Sequence, residues 1–156
     1  MSQALALWKR CEGLPFGKAV FSRVICWKAP YFGSIRPRFE EFRPGYARVS
    51  MRKRRAVTNH IGTVHAIAMC NLAELAAGVM TEVSIPASMR WLPKGMTVRY
   101  TAKANSDITG YAEVAPDAWK PGEVVVKVWA TDTAGTTVID GTITLHVTQK
   151  PASKNG

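Results

Sequence analysis

Polar residues interrupt an otherwise apolar segment in the middle of the chain, which reads NHIGTVHAIAMCNLAELAAG over residues 59–78. Asn59 and His65 stand at its entrance, and Glu74 lies within it. A carboxylate among Leu and Ala side chains is costly unless it is paired or functional. Because desolvation makes a carboxylate hold a proton more tightly, such a group suits general base chemistry. Glu74 is therefore a candidate general base.

Each polar residue of this segment also has a structural interpretation. Asn59 belongs to a residue type that favours helix caps and entry loops, and a single histidine such as His65 is more often structural than catalytic. A buried Glu74 could equally form an ion pair with an arginine. Cys70 is predicted to be a core thiol rather than a nucleophile, and Asn71 could pair with polar groups of the helix or the sheet.

The helix that carries these residues is apolar around nearly its whole circumference. Such a helix is predicted to be buried, and a curved antiparallel sheet wrapped around it would bury it. The residues that indicate this are Ala66, Ile67, Ala68, Met69, Leu72, Leu75, Ala76 and Val79.

The rest of the chain supplies elements for such a sheet. Apolar spacing predicts two short helices, Ala4–Cys11 and Ala19–Trp27, and residues 85–95 are expected to be a loop. Alternation with period two predicts about six strands. Their predicted ranges are residues 34–42, 46–51, 97–104, 108–114, 123–132 and 137–147.

The predicted fold class is α+β, a hotdog fold in which the sheet wraps around the long helix. One domain is expected over residues 1–148, with an N-terminal helical extension at 1–32 and a hotdog core at 33–148. Residues 149–156 are expected to be a disordered tail.

Composition narrows the class of protein. At 156 residues and 47% hydrophobic content, the chain is long enough for one domain with a real core. The net charge of +10 favours a partner bearing phosphate or another anion. Three cysteines without a CxxC pair indicate neither a disulfide framework nor a metal site. A soluble cytoplasmic protein without membrane insertion is predicted.

The helix-entry motif resembles that of the hotdog acyl-CoA thioesterases of the phenylacetyl-CoA thioesterase type. In that type an Asn is followed six residues later by a His and nine residues after that by an acid, and Asn59, His65 and Glu74 match all three positions. The sequence departs from the type in two ways. Ala66 and Ile67 replace the two glycines after the histidine, with Glu in place of the commoner Asp, and the Ser or Thr that some relatives place beyond the helix has no clear counterpart near Trp91 and Leu92. The first thirty-odd residues resemble the added helices of a less characterised branch.

The resemblance implies hydrolysis of an acyl-CoA thioester. Glu74 would activate water, or attack directly, and the backbone N–H groups of His65 and Ala66 would stabilise the oxyanion. The side chains of His65 and Asn59 would orient the thioester or the water. No cofactor is implied beyond the coenzyme A of the substrate itself.

The basic run Arg52, Lys53, Arg54 and Arg55 is a candidate site for the phosphates of coenzyme A. Its structural alternative is a solvated loop. Nucleic acid is an unlikely partner, because the run is not interleaved with aromatic residues and no nucleic-acid module is present. A basic nucleic-acid-binding domain and a catalytically silent acyl-binding protein are the two rival functions.

The resemblance also implies a homodimer, or a dimer of dimers. His65 and Glu74 are nine residues apart, which corresponds to a rise of about 13.5 Å and a rotation of about half a turn on one helix. Because they would lie on opposite sides of that helix, each active site is expected to combine His65 of one subunit with Glu74 of the other.

Overall fold

A computed structural model describes residues 2–151 of the chain. Two helices come first, a long helix lies in the middle, and six strands form one sheet. Short 3₁₀ segments lie at Pro30–Ile35, Arg55–Val57 and Pro116–Ala118. The helices are α1 (Gln3–Cys11), α2 (Gly17–Lys28) and α3 (Ala66–Ser84), and the strands are β1 (Arg38–Arg43), β2 (Tyr46–Met51), β3 (Met89–Tyr100), β4 (Ile108–Glu113), β5 (Gly122–Thr131) and β6 (Thr137–Gln149).

The six strands form a single curved antiparallel sheet in the order β1-β2-β4-β5-β6-β3. α3 lies across this sheet and packs against β2, β4 and β5. Gly110 in β4 allows the close approach, because a Cβ at that position would lie 2.8 Å from Cγ of Leu72. The α+β hotdog architecture predicted from the periodicity is confirmed.

α3 begins after a capping histidine and ends just before a proline. His65 caps its first turn, and Pro86, which cannot continue a helix, follows the cap residue Ile85. By length and hydropathy alone α3 would qualify as a membrane span, but half of that apolar window is buried inside the fold. It is the core helix of the domain.

The N-terminal helices are fastened to the sheet by an aromatic cluster. Phe21 of α2 packs its ring 5.1 Å from Trp8 of α1 and 5.1 Å from Phe39 of β1, measured between centroids. Ser22 Oγ accepts a hydrogen bond of 2.9 Å from the N–H of Phe39. α2 thereby covers the β1 edge of the sheet, whereas β3 forms the opposite edge.

Three boundary predictions are wrong. The first concerns β3, which begins at Met89 and runs to Tyr100. Most of the loop predicted over residues 85–95 is therefore strand, and the strand predicted over 97–104 begins eight residues earlier than expected. Pro93 is compatible with β3 because an edge strand needs only one hydrogen-bonded side, and a bulge between Pro93 and Gly95 absorbs the irregularity.

The other two errors concern the ends of the hotdog core. The strand predicted from residue 34 begins at Arg38, because Pro30 opens a 3₁₀ segment that extends to Ile35. The tail expected from residue 149 begins later, since Gln149 pairs with Met89 in the sheet and the N–H of Lys150 donates to the carbonyl of Ser88 at 2.8 Å. Residues 152–156 lie outside the described part of the chain.

Candidate active site

Asn59 organises the loop that leads into α3. Its Oδ1 accepts hydrogen bonds of 3.1 Å from the N–H groups of both Ile61 and Thr63, and its Nδ2 donates to Thr63 Oγ1 at 2.8 Å. Gly62 takes a positive φ of 79° at the tip of the loop, a conformation that glycine adopts without strain. These contacts support the structural interpretation of Asn59 as an entry-loop residue.

His65 is the N-cap of α3 and is exposed. Its Nδ1 accepts a hydrogen bond of 3.1 Å from the N–H of Ile67. Since that nitrogen accepts, the neutral ring carries its proton on Nε2, and this N–H is left as a donor. His65 can therefore offer a side-chain donor at the positive end of the helix dipole.

One of the two predicted oxyanion donors is wrong. The backbone N–H of His65 already donates to the carbonyl of Val57 at 2.8 Å, so it is not free to bind an oxyanion. The N–H of Ala66, the first helical residue, makes no hydrogen bond within residues 2–151. Ala66 is the backbone donor that remains at this helix start.

Glu74 is exposed on the outer side of α3, away from the sheet. Its predicted burial among apolar side chains is wrong for the single chain, because its neighbours Leu72, Leu75 and Ala76 face the sheet and fill the core while Glu74 does not. The alternative of a buried ion pair with an arginine is not found either, since none of the salt bridges within residues 2–151 involves Glu74.

Glu74 lies where two cavities meet. The larger, of about 680 Å³, lies between α3, the N-terminal helices and the sheet, and the second, of about 380 Å³, lies between α3 and β3. Both are lined by Glu74. A third cavity of about 200 Å³ contains His65 and shares Tyr31, Ile67 and Asn71 with the second. A continuous groove therefore follows the outer side of α3.

The groove does not bring His65 and Glu74 together within one chain. Neither of the cavities that Glu74 lines is lined by His65. Both residues nevertheless border the same groove, Glu74 at its first two cavities and His65 at the third.

Asn71 is the site residue that sequence reasoning missed. It is only 6% exposed, its Nδ2 donates to Ser34 Oγ at 3.2 Å, and its Oδ1 is buried without a hydrogen-bond partner among the described residues. Asn71 lines the second and third cavities and lies three residues before Glu74, on the same side of α3. An amide inside an apolar helix was the signal that could have identified it.

The second cavity is bordered by a pair formed by Cys70 and Tyr100. Cys70 Sγ and Tyr100 Oη are 3.5 Å apart, and this hydrogen bond, together with partial burial, raises the pKa of Tyr100. Cys70 is half-buried, packs against the hydrophobic core as predicted, and also lines the cavity. The pair ties the middle of α3 to the end of β3.

The basic run does not act as one cluster. Lys53 donates through Nζ to the carbonyl of Asn105 at 3.0 Å, and Arg54 donates through Nη2 to the carbonyl of Ser34. These two cations hold neighbouring loops. Arg52 and Arg55 are exposed, so they are the members of the run most accessible to a phosphate.

The fold and the groove define the class of this protein, a hotdog-fold domain of thioesterase-like architecture. The chain belongs to the family described as "Domain of unknown function (DUF4442)", whose model matches residues 17–147. No curated protein matches the chain.

Solved structures with the same architecture support this assignment. The protein designated genomics APC5556 is 48% identical, with a TM-score of 0.84 over 94% of this chain and 98% of that one. A Pseudomonas aeruginosa protein described as a "Probable Thioesterase" is 25% identical, with a TM-score of 0.73 over 88% and 97%. A thioesterase family protein from Silicibacter pomeroyi is 18% identical, with a TM-score of 0.71 over 87% and 100%, and shows the fold alone.

Proposed function

We propose that this protein is an acyl-CoA thioesterase that acts as a homodimer. The observation that carries the proposal is the position of Glu74, an exposed carboxylate that has no ion-pair partner within residues 2–151 and lines two adjoining cavities. The description of the Pseudomonas aeruginosa relative as a probable thioesterase agrees with a thioester hydrolase. A carboxylate at the junction of an apolar cavity and a more open one suits a substrate with an acyl group on one side of the reacting carbon and a long leaving group on the other.

In the proposed reaction, Glu74 removes a proton from a water molecule as its oxygen attacks the thioester carbonyl carbon. Asn71, held by Ser34 through Nδ2, lines the second cavity beside Glu74 and fixes that part of its wall. The tetrahedral intermediate collapses and breaks the C–S bond. The departing thiolate takes up the proton from Glu74, leaving free acid, coenzyme A and the original carboxylate.

The oxyanion requires hydrogen-bond donors. Within one chain, the donors at the start of α3 lie far from Glu74. His65, the cap of α3, lies nine residues before Glu74, about 13.5 Å along the helix. In the proposed dimer, Ala66 of the partner subunit supplies its backbone N–H and His65 of the partner subunit its Nε2–H. Each active site then combines two chains.

The sheet edges support a dimer formed through β3. The β1 edge is covered by α2, but β3 is a strand of 12 residues with most of its side chains exposed, among them Leu92 at 69% and Tyr100 at 53%. A long edge strand carries a row of unpaired backbone donors and acceptors. Antiparallel pairing of two copies of β3 would satisfy them and bring two grooves together.

The test is hydrolysis of a panel of acyl-CoAs, followed by thiol release, for wild type and two matched variants. Glu74→Gln should lower kcat by a factor of ~10²–10⁴, the scale of a positioned general base. Glu113→Gln is the control, because Glu113 is also an exposed carboxylate but lies on β4 and lines none of the three cavities of the groove. It should stay within about threefold of wild type.

The outcomes separate catalysis from binding alone. If wild type binds acyl-CoA without turnover of any substrate, the protein is a silent acyl-binding protein and the thioesterase assignment fails. If both variants lose activity equally, the effect comes from the net charge of the protein and not from a base at Glu74.

A further inference from the structure

The 680 Å³ cavity is built jointly by the N-terminal extension and the hotdog core. Glu74 stands at one end, and Lys28 and Glu82 also line it. The remaining lining is mostly apolar. The extension contributes Leu7, Val24, Ile25 and Phe32, and the core contributes Ala77, Gly78, Val79, Trp91, Ile143 and Leu145.

Resting on the thioesterase function proposed above, we infer that this space, the acyl cavity, takes the hydrocarbon part of a medium-chain acyl group. We infer further that α2 and the groove side of α3 set the length that fits. Burial of an alkyl chain against aliphatic and aromatic walls is favourable in proportion to its area. A short or polar acyl group would leave most of these walls without contacts.

The length of the cavity follows from α3. Glu74 and Glu82 both line it and lie eight residues apart, which corresponds to about 12 Å of helix. A chain of single bonds of ~1.5 Å advances about 1.3 Å per carbon when extended. Roughly eight to ten carbons therefore reach from Glu74 to the far end.

The far end of the acyl cavity is held in place by a hydrogen bond. Trp91 Nε1 donates to Glu82 Oε2 at 3.2 Å, which ties the indole of β3 to the side chain of α3. An aromatic ring held in this way forms a firm wall for an apolar chain. The polar partner Glu82 also makes a longer alkyl chain unfavourable beyond this point.

Gly78 lies midway between Glu74 and Glu82 on the same side of α3 and lines the cavity. The helix does not require glycine there, because its φ is an ordinary helical one and a Cβ would meet Trp91 Cη2 at 3.5 Å, an ordinary contact. Glycine also weakens a helix interior relative to alanine. Glycine leaves this part of the cavity wall without a side chain, and a side chain longer than one carbon would have to share the space with Trp91.

The test compares kcat/KM across acyl-CoAs from butyryl to hexadecanoyl in four proteins. Wild type should prefer octanoyl- and decanoyl-CoA. Gly78→Leu places a side chain across the cavity, and at about fourfold per methylene removed from contact it should lower kcat/KM for decanoyl-CoA about 10²-fold. The value for butyryl-CoA should change by less than about threefold, since that chain ends before the new side chain.

A second pair of variants repeats the test from the opposite wall. Val24 of α2 lines the acyl cavity, whereas Val20, one turn earlier on the same helix, is 47% exposed and does not line it. Val24→Trp should shift the preference to shorter acyl chains, and Val20→Trp should keep the profile of wild type. This pair also decides the question if Gly78→Leu fails to fold.

Failure of this inference differs from failure of the thioesterase proposal. If acyl-CoAs are hydrolysed but Gly78→Leu and Val24→Trp keep the wild-type chain-length profile, the acyl cavity is wrong and the thioesterase stands. If nothing is hydrolysed, calorimetric binding of decanoyl-CoA decides. A loss of affinity in Gly78→Leu and Val24→Trp but not in Val20→Trp supports the cavity, and equal affinity in all four proteins overturns it.

Discussion

The entry of α3 and its middle differ in how their polar groups are used. At the entry, the side chain of Asn59 makes three hydrogen bonds within its own loop, and the backbone N–H and Nδ1 of His65 are both engaged. In the middle, Glu74 has no ion-pair partner and the Oδ1 of Asn71 has no hydrogen-bond partner among the described residues.

This difference separates residues that build the site from residues that are free to act in it. A group whose donors and acceptors are satisfied by the fold has little left for a substrate, whereas a polar group left unpartnered in a cavity keeps its capacity for one. The motif shared by Asn59, His65 and Glu74 therefore contains members of both kinds. Asn59 mainly stabilises the entry loop. The carboxylate of Glu74 is free to contact a substrate, and His65 keeps its Nε2–H as a donor.

The largest effect on activity is expected when one region is inactivated in one chain of the dimer and the other region in the second chain. His65→Ala and Glu74→Ala should each be nearly inactive as homodimers. When the two variants are coexpressed, random pairing makes half of the dimers mixed, each with one intact site of two, so roughly a quarter of wild-type activity should return. Activity of purified mixed dimers is the measurement.

The control for this prediction is the folded state of each variant. Circular dichroism and light scattering should show that both fold and pair like wild type. Mixed dimers as inactive as their parents would show that His65 and Glu74 do not share a site, and the comparison between entry and middle would then concern two unrelated features.

Asn59 should affect stability more than catalysis. Asn59→Ala removes three hydrogen bonds from the loop and should lower the free energy of unfolding by about 1–3 kcal/mol. Asn59→Asp keeps the acceptor for Ile61 and Thr63 and should lose less. A large fall in kcat for Asn59→Ala with unchanged denaturant midpoint would instead place Asn59 among the groups that touch the reacting atoms.

The exposed cations of the basic run should act on substrate affinity alone. Replacing Arg52 and Arg55 together with Ala should raise KM for acyl-CoA about three- to tenfold with little change in kcat, because the phosphates are remote from the reacting carbon. An acyl-pantetheine substrate, which lacks the nucleotide, is the control and should show the same KM in both proteins. A parallel rise for both substrates would contradict a phosphate contact.

The smallest effect concerns the Cys70 and Tyr100 pair beside the second cavity. Because their hydrogen bond raises the pKa of Tyr100, the folded chain holds the phenol proton more tightly than the unfolded chain does. This stabilisation is present below the unfolded value near 10.0 and is lost as the pH rises through the folded pKa. Tyr100→Phe should lower Tm by about 1–2 °C at pH 8, the scale of a partly exposed hydrogen bond of ~0.5 kcal/mol.

The measurement is the Tm difference between wild type and Tyr100→Phe from pH 7 to 11. It should shrink above pH 10 as Tyr100 ionises. A difference that stays constant over this range would show that the phenol contributes by packing and not through its hydrogen bond to Cys70.

Periodicity in the sequence was enough to predict the fold. The apolar circumference of α3 and the alternation in five of the six strands depend on local spacing, and each element was recognised because its own residues specify it. β3 was the exception at its start. Trp91, Leu92 and Pro93 are all apolar, so their residue types do not alternate, although the strand packs Trp91 against the core and exposes Leu92. An exposed apolar residue next to a bulge is tolerated at an edge strand.

Side-chain surroundings depend on contacts between elements that are distant in the sequence. Glu74 was expected to be buried because its neighbours along the helix are apolar, yet the side of α3 that carries it faces the groove between β3 and the N-terminal helices. Likewise, no local pattern indicates that Asn71 would bond to Ser34, which lies 37 residues away.

The motif of Asn59, His65 and Glu74, and the helix that carries it, are therefore properties of the local sequence, because spacing along the chain determines which residues share a helix. Only the tertiary structure decided which of those groups remain free. That depends on whether a donor or acceptor meets a partner from another element, as the backbone N–H of His65 meets Val57. Spacing along the chain does not determine such a hydrogen bond, because the packing of the elements decides which groups come within bonding distance.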